Sequence, residues 1–140
     1  RDGARTPMPW QADAPQLGFS TGAAWLPAAA AHRPLAVDRQ ELDPRSALAF
    51  ARQMIALRKA SRALTLGGIE FLDTPEPILA FVRRHEGQGV ACVFNMSSAA
   101  AEAVHPLLKG GEMLPVSAGT AEPREGGLSL GPHACRFLKL

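Results

Sequence analysis

Arginines, aromatic rings and prolines are concentrated near the start of the chain. The relevant strings are RDGARTPMPW at 1–10, GFS at 18–20 and WLP at 25–27. Planar guanidinium groups donate paired hydrogen bonds to neighbouring hydroxyls, and flat apolar rings pack against the faces of sugar rings. On a proline-stiffened loop, these residue types predict a carbohydrate site. Its candidate residues are two arginines and three aromatics: Arg1, Arg5, Trp10, Phe19 and Trp25.

A structural interpretation of the same loop stays open. Asp2 can pair with Arg5 and hold the loop in shape. The three aromatic residues are then buried anchors beneath the loop, which is the usual place of large aromatic side chains in irregular segments.

The sequence gives little indication of a metal site, a nucleotide-binding site or a reactive thiol. Walker, dinucleotide-binding and paired-histidine helix motifs are absent, and the four histidines lie far apart along the chain. Neither cysteine has a partner at metal-ligand spacing, so we predict no metal and no cofactor. Cys92, inside an apolar run, is predicted to be a small buried hydrophobic residue rather than a nucleophile, and Cys135 likewise.

Paired carboxylates are the remaining catalytic possibility, because glycoside cleavage uses two of them about 5 Å apart when the anomeric configuration is retained. The residues themselves point to no such pair, and we expect most of these groups to be solvated or to cap turns. Residue chemistry alone therefore predicts no catalytic residue in the chain. The carboxylates of the N-terminal half are Asp2, Asp13, Asp38, Glu41 and Asp43.

Composition limits the class of protein. The 140 residues carry 15 Lys+Arg and 13 Asp+Glu, for a net charge of +2, and 46% are hydrophobic, which is enough for the core of an ordinary domain. The basic residues are scattered, which argues against nucleic acid as a partner. The longest uncharged stretch, 14–31, is interrupted by Pro15 and Gly18 and cannot supply the roughly 20 apolar residues of a membrane span, so we expect a soluble protein.

A helix is predicted after an irregular N-terminal segment. Residues 1–36 show no sustained period, whereas Asp43 can cap a helix and Pro44 suits its first position. We therefore predict a helix over 44–61. Its apolar stripe includes Leu48 and Ile55 and needs a partner surface that the preceding segment does not supply.

Short β-compatible runs follow residue 64, and they predict a mainly β fold with an antiparallel β-sandwich. The runs around residues 79–82 and 90–94 are apolar on both faces, as in strands that are covered on two sides. The string EGQG at 86–89 suits a hairpin connection. The six predicted strands are 69–72, 78–84, 90–96, 102–107, 112–116 and 135–140.

Taken together, these strings resemble the oligo-1,6-glucosidase and α-glucosidase branch of the α-amylase family, glycoside hydrolase family 13. The resemblance spans nearly the whole chain. It implies that residues 1–64 are the end of a catalytic (β/α)8 barrel, the loop after strand 8 plus helix 8, and that 65–140 form the β-sandwich called domain C. The strings are RDGARTPMPW, GFST, WLP, LAVDRQ, ALAFARQMIALRKASRAL, ILAFVRRH and VFNMS.

The resemblance also implies roles for single residues. Arg1 matches the family's pocket arginine, which recognises the 4-hydroxyl of the terminal glucose and makes the enzyme exo-acting. Arg5 matches the second arginine of the motif, with a loop-ordering or neighbouring-subsite role. Pro9 stands where many relatives have Gln, so the linkage preference stays open between α-1,4 and α-1,6.

The family's catalytic carboxylates lie upstream of this motif. The chain starts at Arg1 without an initiator methionine, so we expect a C-terminal piece of a retaining α-glucosidase that is inactive alone. Its expected partners are the upstream barrel of the same protein and a glucose-containing oligosaccharide, and the expected compartment is the cytoplasm. A free-standing carbohydrate-binding β-sandwich without catalysis and a purely structural interaction domain are the alternatives.

Overall fold

The structure, a computed structural model, describes residues 2–140, with side chains from Ala4 onward. Arg1 lies outside the described residues. The chain divides into two compact units, Arg1–Arg52 and Gln53–Leu140.

The N-terminal unit is mainly irregular, as expected, but it contains short helical segments. Three 3₁₀ turns are followed by helix α1 and the first part of helix α2. Small apolar side chains and one leucine are buried here, so the unit has a modest core. The turns are Asp2–Arg5, Pro15–Gly18 and Ala30–Leu35; the helices are α1 Val37–Glu41 and α2 Ala47–Ala60; the buried residues include Ala12, Leu17 and Ala36.

Helix α2 begins three residues later than the sequence predicts. The Ser46 hydroxyl accepts a hydrogen bond from the amide of Ala49 (3.1 Å) and so occupies the capping position that we assigned to Asp43. The Asp43 carboxylate instead accepts the amide of Arg45 (2.9 Å), which closes a turn. The helix ends before Ser61, whose extended backbone starts the short helix α3, Arg62–Leu66. Among the described helices, none is long and apolar enough to cross a bilayer.

The C-terminal unit contains eight antiparallel strands in two sheets. The larger sheet has the order β1-β2-β3-β8-β5 and the smaller one the order β4-β7-β6. The antiparallel sandwich predicted from the sequence is confirmed. The strands are β1 Gly68–Phe71, β2 Ile78–His85, β3 Gln88–Asn95, β4 Ala101–Val104, β5 Glu112–Ala118, β6 Ala121–Arg124, β7 Gly127–Leu130 and β8 Cys135–Lys139.

The predicted hairpin joins β2 to β3 through a tighter turn than expected. His85 pairs with Gln88, so only Glu86 and Gly87 form the connection. Both have positive φ angles, 45° and 80°, as a two-residue hairpin turn requires. The predicted strand at 102–107 is wrong in its second half, because Pro106 cannot donate to a ladder and begins a 3₁₀ turn instead.

Strands β6 and β7 were not predicted. Pro123 and Gly127 make their segments look like loops, although Pro123 lies on the edge strand β6. Gly127 permits close pairing with β4, since a Cβ at this position would lie 1.9 Å from the carbonyl oxygen of Ala103.

The hydrophobic core lies between the two sheets. It is made of aliphatic side chains from the inner faces of both sheets and from the loops at their ends. Its residues are Leu72, Ile78, Ala80, Val82, Ala91, Val93, Ala103, Leu108, Leu128, Leu130, Ala134 and Leu138.

Candidate functional site

A left-handed turn fixes the middle of the N-terminal loop. Gln16 and Leu17 have φ angles of 50° and 53°, a conformation that costs a residue other than glycine about 1–2 kcal/mol. Burial of Leu17, only 4% exposed, offsets that cost. The carbonyl of Leu17 accepts the amides of Trp10 and Gln11, both at 2.9 Å, so the RTPMPW segment is tied to the turn.

Asp38 holds the same segment from the other side through hydrogen bonds, and we call this set of bonds the Asp38 clamp. Both oxygens of its carboxylate lie 3.1 Å from the amide nitrogen of Ala12, which donates to them. The amide of Val37 donates to the carbonyl of Pro9 (2.9 Å), and that of Asp38 to the carbonyl of Trp10 (3.1 Å). These bonds hold residues 9–12 against the start of α1. Asp38 belongs to the string LAVDRQ, which carries the family resemblance, but no sequence pattern predicts this clamping role.

Arginines of the following segment complete the clamp. The Arg33 guanidinium donates to the carbonyl of Ala12 (2.7 Å), and that of Arg39 pairs with Asp13 at 2.5 Å. The Asp13 side chain is 74% exposed, so its ion pair contributes little to stability. No sequence signal singled out Arg33.

Arg5 and Trp25 meet on the open side of the loop. Arg5 ends the 3₁₀ turn Asp2–Arg5, and its Cζ lies 5.9 Å from the ring centroid of Trp25, within cation–π distance. The two residues help to line a cavity of about 230 Å³ together with Pro7, Phe19 and Leu26. Complete small-molecule sites usually measure about 300–1,000 Å³, so this cavity has the size of one part of a site.

The three aromatics are exposed rather than buried. Trp10 is 49% exposed, Phe19 55% and Trp25 80%. The expectation that they anchor the loop is therefore wrong; Leu17 does so instead. The proposed pairing of Asp2 with Arg5 and every statement about Arg1 fall outside the described side chains, and the binding roles of Arg1 and Arg5 stay predictions.

Comparisons with known proteins agree with this geometry. A family profile described as alpha amylase, catalytic domain, matches residues 1–67, and one described as maltogenic amylase, C-terminal domain, matches residues 69–137. The solved structure of the α-glucosyl transfer enzyme XgtA aligns with 99% of the chain at a TM-score of 0.88 and 43% identity. The chain belongs to the α-amylase family.

Curated relatives from this α-amylase family are longer proteins. A probable α-glucosidase of Rhizobium meliloti (strain 1021) is 47% identical over 107 residues, which are 76% of this chain and 19% of the relative. An oligo-1,6-glucosidase of Bacillus sp. (strain F5) is 33% identical over 89 residues, 63% of this chain and 17% of the relative. The chain thus spans about a fifth of their length, and it covers 26% of XgtA.

The described carboxylates of the N-terminal unit serve structural purposes in this α-amylase family member. Asp38 holds the Ala12 amide, Asp13 pairs with Arg39, and Glu41 pairs with Arg52 at 2.9 Å. Asp43 closes the turn before α2. The two-carboxylate arrangement of a glycosidase is therefore not assembled among the described side chains of the N-terminal unit.

The two cysteines behave as predicted. Cys92 and Cys135 are buried free thiols. Burial raises the pKa of Cys92 to about 11, against a smaller lowering by Arg83, and it also raises the pKa of Cys135. Both therefore stay protonated near neutral pH and act as hydrophobic side chains. Among the described residues, no three His, Cys, Asp or Glu side chains are grouped to hold a metal ion.

The Asp38 clamp gives a direct test of what orders the loop. Asp38→Ala removes the charged acceptor of the Ala12 amide, so the free energy of unfolding should fall by about 1.5–3 kcal/mol and that amide should exchange faster. Asp13→Ala is the matched control, because it removes an exposed carboxylate and should cost less than about 1 kcal/mol. Denaturant unfolding and hydrogen exchange measure both; equal losses in the two variants would contradict the clamp.

Proposed function

We propose that the chain is the C-terminal portion of an exo-acting, retaining α-glucosidase that hydrolyses terminal α-glucosidic bonds of small oligosaccharides. Residues 1–64 are the end of its catalytic barrel, and 65–140 are the supporting domain C. The observation that carries the proposal is the exposed pair of Arg5 and Trp25 on a loop clamped by Asp38, on one wall of a cavity too small to be a whole site.

Helix α2 supports the presence of an upstream barrel. The structure describes all of this helix, and none of its residues is buried; Ile55, on its apolar stripe, is 55% exposed. A one-sided helix of this kind gains its stability from packing against another element. In our proposal the wall of the barrel covers this stripe. The names of two relatives, a probable α-glucosidase and an oligo-1,6-glucosidase, support the proposed activity.

The reaction follows the retaining scheme of glycoside hydrolysis. A carboxylic acid protonates the leaving oxygen, a carboxylate forms the covalent glucosyl intermediate, and water then hydrolyses it. In our proposal these two carboxylates lie upstream of the chain. Arg1 binds the 4-hydroxyl of the terminal glucose and Arg5 orders the loop or borders the next subsite. Arginine does not give up its proton in proteins, so both residues position the substrate rather than transfer protons.

Transfer to a sugar hydroxyl is the second possible fate of the intermediate. XgtA, which shares 43% of its aligned residues with this chain, is described as an α-glucosyl transfer enzyme. The exposed rings of Trp25 and Phe19 would hold an acceptor sugar as readily as a leaving group. Product analysis should therefore quantify both free glucose and longer oligosaccharides.

The isolated chain and the longer protein should differ in activity. We expect the 140-residue chain to release no glucose from maltose or isomaltose and to show no heat of binding with either sugar. The longer protein should hydrolyse at least one of them. Glucose release by the chain alone would contradict the proposal, and saturable binding without hydrolysis in both forms would favour a free-standing carbohydrate-binding module.

A further inference from the structure

The cavity beside Arg5 has two walls, and residues 9–12 connect them. Arg5 and Pro7, on one wall, lie shortly before these residues in the chain. Phe19, on the other wall, follows the left-handed turn, whose Leu17 carbonyl accepts two amides of residues 9–12 at 2.9 Å. The position of residues 9–12 therefore sets how far apart the two walls of the cavity lie.

The backbone between residues 9–12 and Arg5 has little freedom to move. Two prolines, Pro7 and Pro9, stand in this short stretch, and Pro7 is buried. Proline locks its own φ angle at about −65° and also restricts the residue before it. A shift of residues 9–12 is thus transmitted to Arg5 rather than absorbed by the chain in between.

Asp38 fixes residues 9–12 through a charged acceptor. Both oxygens of its carboxylate lie 3.1 Å from the amide nitrogen of Ala12, a residue that is only 2% exposed. A hydrogen bond to an ionised acceptor is about twice as strong as one between neutral groups. Asp38 is not one of the residues that line the cavity. It acts on the cavity through the backbone of residues 9–12.

We propose that Asp38 is a positioning residue for the sugar unit next to the terminal glucose. The inference rests on the proposed function, which brings the substrate to the cavity. Arg5 and Trp25 offer that unit planar donors and a flat ring, and the Asp38 clamp keeps them at a fixed distance from Phe19. The catalytic carboxylates lie upstream in our proposal, so loss of the clamp should weaken binding of this sugar unit more than it slows cleavage of the bond.

Steady-state kinetics of the longer protein with maltose and isomaltose test the role of Asp38. Asp38→Ala should raise KM by at least about 5-fold, the effect of one lost hydrogen bond, and change kcat by less than about 2-fold. Asp38→Asn keeps an oxygen acceptor for the Ala12 amide without the charge, so it should raise KM by only about 2- to 3-fold. Asp38→Asn also decides the question if Asp38→Ala does not fold.

A purely structural role of Asp38 would give a different result. Asn95→Ala is the matched control: it removes a side chain that is 3% exposed in the sandwich, so it should lower stability but leave KM unchanged. All variants are assayed well below their unfolding temperatures, so that each is fully folded. Unchanged KM in both Asp38 variants would overturn the inference, as would an equal rise in KM for Asn95→Ala.

The same samples separate this inference from the proposed function. An active unsubstituted protein whose KM does not depend on Asp38 contradicts only the inference. A protein that binds maltose without releasing glucose contradicts the proposed function, and the Kd of maltose from calorimetry then replaces KM in the comparison of the variants. A longer protein that neither binds nor hydrolyses maltose or isomaltose contradicts both.

Discussion

In the proposed full-length enzyme, Arg1→Ala should lower kcat/KM for maltose or isomaltose by about 10²-fold or more. By the family resemblance, Arg1 fixes the terminal glucose through its 4-hydroxyl, and a planar guanidinium can hold a hydroxyl and a carboxylate at the same time. Loss of such a positioning contact misaligns the glycosidic bond with the catalytic carboxylates. Steady-state kinetics with both disaccharides measure the effect.

Two variants make this result specific. Arg1→Lys keeps the positive charge but lacks the planar set of N–H donors of a guanidinium. It should therefore be more active than Arg1→Ala and less active than the unsubstituted enzyme. Arg5→Ala removes the cation–π contact with Trp25 and should have a smaller effect than Arg1→Ala, because that contact orders one wall of the site. Kinetics of Arg1→Ala close to those of the unsubstituted enzyme would refute the assignment of the pocket arginine.

Local patterns predicted most of the sandwich. The runs of β2 and β3 are apolar and end at a turn that suits positive φ angles, so strand and turn signals agree there. Where they disagree, the prediction failed. Gly127 is a residue type typical of loops, but here it lies in β7, where the neighbouring strand β4 leaves no room for a side chain. The need for glycine comes from its contact with Ala103, which is too far away in the sequence for a local pattern to show it.

Some residues of the candidate site could likewise be predicted from the sequence, and others could not. Arg5 and Trp25 could be selected because their residue types and their strings carry chemical meaning. Asp38 could not, since its role depends on the amide of Ala12, 26 residues away. For the aromatics the sequence leaves two interpretations open, because residue type alone does not distinguish a ring that fills a core from one that lines an open cavity.

Asn95→Ala should lower the free energy of unfolding by about 2–4 kcal/mol, the second large effect that we expect. The side chain is 3% exposed at the end of β3. The two hydrogens of its nitrogen are shared among three carbonyls, those of Ala99 (2.7 Å), Gly131 (2.9 Å) and Leu130 (3.3 Å), the last of which ends β7. Its oxygen accepts both the amide (3.0 Å) and the hydroxyl (2.9 Å) of Ser97. One amide thus joins the two sheets.

The expected loss in the free energy of unfolding follows from the polar groups that Asn95→Ala leaves without a partner. Alanine removes the partner of the buried Leu130 carbonyl and of part-buried groups, the Gly131 carbonyl and the Ser97 amide, and each of these keeps a desolvation cost that no new contact offsets. Asn95→Asp keeps the shape but turns the donor into an oxygen facing three carbonyls. It should destabilise more at pH 7 than at pH 4, where protonation restores one donor.

Ser98→Ala, at an exposed position in the same loop, should change stability by less than about 0.5 kcal/mol. Urea unfolding of the three variants decides the matter: if Asn95→Ala is no less stable than Ser98→Ala, then packing of the aliphatic core alone holds the two sheets together.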